Sequence, residues 1–285
     1  MILRLLALAG ALALAACGAP ERDWPAPSPA LWEVTGPDGA RGWLFGTIHA
    51  LPDGVAWRTP ALDTALGQSG VLVVEVAALG DRTAATKAFE AVATSPGLPP
   101  LLQRVPAADR PVLARALERA GLAERDLART ESWAAALLIA NGARDGETGN
   151  GVDRELLAQH LPVVALESHA VQFALFDGLA GEDQAVLLTE TARDAGSTTE
   201  ERLAAAWLTG DLATLERETH AGILADPELR QALLAGRNAA WARLIAPLLA
   251  DGRRPFVAVG TAHMLGAEGL PALLAARGFT VRRIQ

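Results

Sequence analysis

Tyrosine is absent from the 285 residues, cysteine occurs once, and aromatic residues make up 5%. Without tyrosine there is no phenolic nucleophile or phenolic acid, and a lone cysteine, Cys17, excludes any disulfide within the chain. Cations are too few and too scattered for a phosphate-binding track. Lys and Arg number 25 against 33 Asp and Glu, the formal charge is −8, and the arginines are interspersed with carboxylates, which excludes a nucleic-acid footprint. A His-Glu-x-x-His helix is missing, so the chain is no zincin, and no repeat of solenoid period is present. The apolar stretch Leu5 to Ala16 is too short to serve as a finished membrane-spanning helix.

That stretch follows Arg4 and reads as a signal peptide over residues 1–16. It ends Leu14-Ala15-Ala16-Cys17-Gly18, which resembles the bacterial lipoprotein processing signal, in which the cysteine becomes the lipidated first residue of the mature protein. Residues 17–30 are then a lipidated Cys and a Pro-rich tether, with Pro20, Pro25, Pro27 and Pro29, and residues 31–285 form a single α/β domain. More than one acyl chain, at about 0.8 kcal/mol per buried methylene, makes a firm anchor. No Asp follows Cys17, which by resemblance to lipoprotein sorting in Gram-negative bacteria points to the outer membrane, facing the periplasm.

With 51% hydrophobic residues the body has enough apolar mass for a sizeable core. Short apolar runs predict strands at Leu31 to Thr35, Arg41 to Phe45, Val71 to Val76, Pro162 to Leu166, Pro255 to Val259 and Phe279 to Ile284. The first two flank Gly36-Pro37-Asp38-Gly39 and predict a hairpin. From Arg82 to Asn150 and from Ser168 to Asp251 the pattern is helical. The expected fold is therefore α/β, a central mixed β-sheet with a large helical insertion.

Two copies of one motif bracket that insertion. Gly46-Thr47-Ile48-His49 follows Trp43-Leu44-Phe45, and Gly260-Thr261-Ala262-His263 follows Phe256-Val257-Ala258-Val259. An apolar strand ending in Gly and then His delivers an imidazole to the carboxyl edge of a sheet, where open α/β sheets bind ligands. Glu75 lies within the otherwise apolar run Val71 to Val76, and a carboxylate there needs a partner, a hydrogen bond or a metal. Glu167 repeats the placement after Pro162 to Leu166, just before a helix that Ser168 is suited to cap. In the helix opened by Asp226-Pro227, the stripe Leu229, Leu233, Ala240, Trp241, Leu244 and Leu248 contains Arg237, whose charge calls for a bound anion or an ion pair with Asp153 or Glu167. His160 and His220 sit in polar helical surroundings, and His169 is at best a supporting residue.

These segments resemble the TraB/GumN family, which includes the TIKI metalloproteases and is itself similar to erythromycin esterases and to a haem-binding lipoprotein group. The likeness is carried by Leu31-Trp32-Glu33-Val34, the stretch Leu44 to Pro52, Val73-Val74-Glu75, Gly151-Val152-Asp153, Ala165 to Ser168 with Gln172, Arg237-Asn238 with Trp241, and Val259 to Gly266 followed by Gly269-Leu270. The ordered set gives it specificity, since no single segment suffices. The resemblance implies a metalloprotease-like hydrolase centred on His49, Glu75 and His263.

The residues by themselves lead the same way. Two imidazoles and one or two carboxylates at a sheet edge suit Mn, Co or Zn with an open position for water, and such a metal makes hydroxide accessible near neutral pH. His49 and His263 are assigned as metal ligands, Glu75 as ligand or general base, Glu167 as the second carboxylate, and Arg237 as anchor for a substrate carboxylate or a developing oxyanion. The expected substrate is a peptide or a small ester or amide. Two alternatives stay open: a haem- or metal-binding lipoprotein without turnover, and a metal-free hydrolase with His49 as base oriented by Glu75.

Overall fold

The computed structural model describes residues 24–48, 51, 54–143, 151–195 and 199–285. The signal peptide, Cys17 and His49 lie outside the described residues. The apolar runs form strands β1 (Leu31–Thr35), β2 (Arg41–Thr47), β3 (Val71–Val74), β4 (Val163–Ala165), β5 (Pro255–Gly260) and β6 (Thr280–Arg283). Helix α1 (Pro60–Gln68) joins β2 to β3. Helices α2 (Arg82–Glu90), α3 (Arg110–Arg119), α4 (Ser132–Gly142) and α5 (Val152–Leu157) lead on to β4. After β4 come α6 (His169–Asp177), α7 (Gly181–Asp194), α8 (Thr199–Thr209), α9 (Leu212–Thr219), α10 (Pro227–Arg230) and α11 (Gly236–Ala250), and α12 (Leu270–Ala275) separates β5 from β6. Side chains start several of these helices: Thr59, Ser168 and Asp226 accept from backbone N–H groups in the first turns of α1, α6 and α10.

The sheet is mixed and six-stranded, in the order β4-β3-β5-β2-β1-β6. β4, β3, β5 and β2 run parallel, so their carboxyl ends share one edge, while β1 is antiparallel to both β2 and β6. The expected hairpin is present: Leu31 pairs with Phe45 and Thr35 with Arg41 across a 3-10 turn at Pro37–Gly39. Gly39 sits at φ +81, in the left-handed region that glycine enters without steric penalty.

Strand alternation sends side chains to two cores. On one face Trp43, Phe45, Leu72, Val74, Phe256 and Ala258 pack beneath α1, α5, α8 and α9. On the other, Leu44, Val71, Val73, Val257 and Val259 pack beneath Trp241, Ala242, Ile245 and Leu249 of α11 and Leu270 and Leu274 of α12. A third apolar cluster gathers α3, α4 and α7 around Trp133, Ile139 and Leu188. This helical mass is the insertion expected between the two Gly-Thr-x-His motifs.

The stripe predicted on the last long helix differs in phase. Leu244, expected inside, is 53% exposed, and the buried positions are Leu229, Leu234, Asn238, Trp241, Ala242, Ile245 and Leu249. The cause is a π-helical turn at Gln231–Ala235, closed by Gly236 N–H to the Gln231 carbonyl. It adds one residue to a turn and rotates everything beyond it by about 100°. The predicted stripe is therefore one residue out of register past the turn.

Candidate functional site

The end of β2 and the end of β5 meet. Thr47 pairs with Gly260 in the parallel ladder, and Thr261 Oγ1 donates to the Thr47 carbonyl at 2.8 Å. Gly46 permits this approach, because a Cβ there would lie 2.9 Å from Thr261 Oγ1 and 3.0 Å from its Cα. The carbonyls on either side of Thr47 are held as well: Gly46 accepts from the Trp207 indole at 2.7 Å, and Ile48 accepts from the Val152 N–H at 3.2 Å. The two copies of the motif thus touch across the β2–β5 seam.

From β5 the chain passes into a 3-10 turn, Thr261–Met264, which carries His263 into the interior. Glu75 comes from the residue after β3 and Glu167 from the second residue after β4. Their backbones are joined by Glu167 N–H to the Glu75 carbonyl at 2.9 Å, which extends the ladder past the named strands. Arg237 arrives from α11, on the side of the sheet lined by Trp241. Glu75, Glu167, His263 and Arg237 are thereby gathered at one sheet edge.

Arg237 is the hub. Its Nε donates to Glu167 Oε1 at 3.0 Å and its Nη2 to Glu167 Oε2 at 2.8 Å, a two-pronged pair, and Nη2 also donates to Glu75 Oε2 at 2.8 Å. Nη1 donates to the Leu233 carbonyl at 3.2 Å and faces His263 Nε2 at 3.3 Å. Four of its five N–H groups therefore have oxygen acceptors inside the protein, and the fifth faces the His263 ring. The guanidinium carbon lies 4.5 Å from the centre of the Trp241 ring, and the Trp241 indole N–H donates to Glu167 Oε1 at 2.9 Å. Burial works against the charge of Arg237, but the two carboxylates outweigh it and hold its pKa above the ordinary arginine value.

The expected ion pair of Arg237 with Glu167 is present, joined by Glu75 rather than Asp153. The sequence assigned Arg237 to a substrate carboxylate or an oxyanion. In the structure four of its donors are engaged by Glu167, Glu75 and the Leu233 carbonyl.

Glu75 is held from several sides. Oε2 also accepts from Gln172 of α6 at 3.2 Å, and Oε1 accepts from the Gly260 N–H at 2.8 Å. Oε1 lies 3.9 Å from His263 Nε2. His263 packs against Trp241 with ring centres 4.4 Å apart and planes tilted by 43°, and its Nδ1 lies 2.6 Å from Oδ1 of the buried Asn238. Sequence reasoning gave no role to Asn238 or Gln172. The signal for Asn238 was a polar residue within an apolar stripe, and the π-turn had shifted that stripe out of the predicted phase.

As donors for a first-row divalent metal, His263 Nε2 and Glu75 Oε1 have the right chemistry and lie side by side, while Glu167 has both oxygens committed to Arg237 and Trp241. The third expected donor, His49, lies outside the described residues, and no group of three or more His, Cys, Asp or Glu suited to a metal occurs among the described residues. The other histidines stand apart: His160 and His220 are exposed, and His169 bonds the Ala78 carbonyl through Nε2 at 3.1 Å.

Fold and site together define an α/β protein with a buried carboxylate–guanidinium–imidazole cluster at the carboxyl edge of its parallel strands. The chain belongs to the TraB/PrgY/gumN family, whose model matches residues 30–283. No curated protein matches it, and no solved structure does.

Proposed function

We propose that this protein is a hydrolase of peptide or small ester and amide bonds, with a divalent metal (Mn, Co or Zn) held by His263 Nε2, Glu75 and His49. The observation that carries the reading is the adjacency of Glu75 Oε1 and His263 Nε2, 3.9 Å apart, contributed by neighbouring parallel strands. Bound there, the metal would supply a water acidified toward neutral pH. The protein's own part is electrostatic and geometric. Arg237 and Gln172 fix Glu75 Oε2, so that Oε1 is the oxygen turned toward the reacting water, as ligand or as proton acceptor. Glu167 holds Arg237 in place and Trp241 backs the Arg237 guanidinium and the His263 ring, keeping water from that side.

The purified protein is expected to hydrolyse a member of a broad peptide and ester library. Chelation should abolish the activity and Mn, Co or Zn should restore it. His263→Ala should lose metal and activity together, and Glu75→Gln should slow turnover by about 10²–10⁴-fold. Metal or haem binding without hydrolysis in any library would replace the enzyme with a carrier. A second hydrolase reading is favoured by Arg237, which already compensates the partly buried Glu75: in it Glu75 and His263 activate water directly, and chelators leave the rate unchanged.

A further inference from the structure

We propose that Asn238 is a positioning residue that selects the tautomer of His263, a role that rests on the hydrolase reading for its consequence but not for its test. Asn238 is fully buried, with 0% exposure. Its amide cannot be turned freely: Nδ2 donates to the Glu268 carbonyl at 2.7 Å, which leaves Oδ1 as the atom facing the imidazole. Oδ1 accepts only, so the 2.6 Å contact with Nδ1 requires the proton on Nδ1. A neutral imidazole protonated at Nδ1 carries its lone pair on Nε2, the atom that faces Glu75 Oε1 and the Arg237 Nη1 donor.

The chain of control reaches further back. The Glu268 carbonyl is set by a tight turn in which Gly269 approaches the 3-10 segment of His263 itself. A Cβ on Gly269 would stand 2.6 Å from the Leu265 oxygen and 2.8 Å from its nitrogen. Histidines that act through one nitrogen commonly donate the other N–H to a fixed acceptor, and here the acceptor is a side-chain amide anchored at both ends. Either use of His263, as metal ligand or as base, needs the lone pair that a proton on Nδ1 leaves on Nε2, and needs the Arg237 Nη1 N–H, 3.3 Å away, to give it up.

The test is spectroscopic and separate from turnover. In the full-length protein labelled with 15N-histidine, long-range 15N–1H correlation should show His263, assigned by its loss in His263→Gln, with a proton on Nδ1 and none on Nε2. Asn238→Asp keeps an acceptor at that position and should preserve the pattern. Asn238→Leu keeps the volume and removes the acceptor, and should give a mixed or reversed pattern with about 10–100-fold slower hydrolysis. A ring protonated on Nε2 and not on Nδ1, in the wild type or in Asn238→Asp, overturns the proposal. So does an unchanged spectrum in Asn238→Leu; if that variant does not fold, the other two spectra decide. If the spectra behave as stated while the wild type hydrolyses nothing, Asn238 retains its role and the hydrolase reading falls.

Discussion

Four of the five N–H groups of Arg237 have oxygen acceptors, three of them on two carboxylates that are themselves 7% and 16% exposed, so the residue balances their charge. Removing one partner from such a cluster costs more than the cluster contributes, because charge is left behind without compensation. Arg237→Met is therefore expected to lower stability by about 3–5 kcal/mol, whereas Arg237→Met combined with Glu75→Gln and Glu167→Gln should recover much of that loss. Urea denaturation at neutral pH measures both, and equal stabilities for the single and triple variants would contradict the argument. At this scale the sequence was informative wherever a charge interrupts an apolar run. Glu75, Glu167 and Arg237 stood out for that reason and His263 by its repeated Gly-Thr-x-His motif, and the structure brings these four together. Gln172 entered only through the family likeness and without a role, since a glutamine on an otherwise ordinary helix face carries no local signal of what it holds.

At the scale of elements, the apolar runs located all six strands, and the helical intervals followed from their spacing. The π-turn at Gln231–Ala235 had no such sequence mark. It divides one predicted helix into two with different phases, so that Leu229 enters the helical cluster while Trp241, Ala242, Ile245 and Leu249 lie on the sheet. Deleting Ala232 would restore an uninterrupted α-helix. With α11 fixed by its four sheet contacts, the preceding turn must rotate and carry Leu229 out of its core. The expected outcome is a loss of about 2–4 kcal/mol, with the helical circular dichroism retained. A deletion variant as stable as the parent would mean that the extra residue has no part in joining the two cores.

For the molecule as a whole, part of the Pro-rich run assigned to a tether is docked. Trp24 packs against the core, the Ser28 N–H donates to the Leu208 carbonyl at 2.7 Å, and Gln285 Nε2 donates to the Pro29 carbonyl at 2.7 Å. We propose that Cys17 carries the lipid; the stretch from Cys17 to Asp23 then spans at most about 25 Å at ~3.5 Å per residue, which keeps the body close to its membrane. Mass spectrometry after expression in a Gram-negative host should find acylated Cys17 as the first residue, and an intact Met1 or unmodified Cys17 would remove the anchor. Strand positions in the sheet, unlike strand positions in the sequence, were beyond local reading, because pairing is decided by contacts between distant segments. The order β4-β3-β5-β2-β1-β6 puts the fifth strand of the chain at the centre. Until it arrives, β2 and β3 have no common neighbour, and each presents an open edge. The seam between Thr47 and Thr261 joins residues 214 apart in the chain, so the site rests on a long-range contact that cannot form before β5 is available. A chain still being made has no such site at all: its chemistry is delayed until nearly the whole polypeptide is in place, and its two bare strand edges are what a chaperone must guard in the meantime.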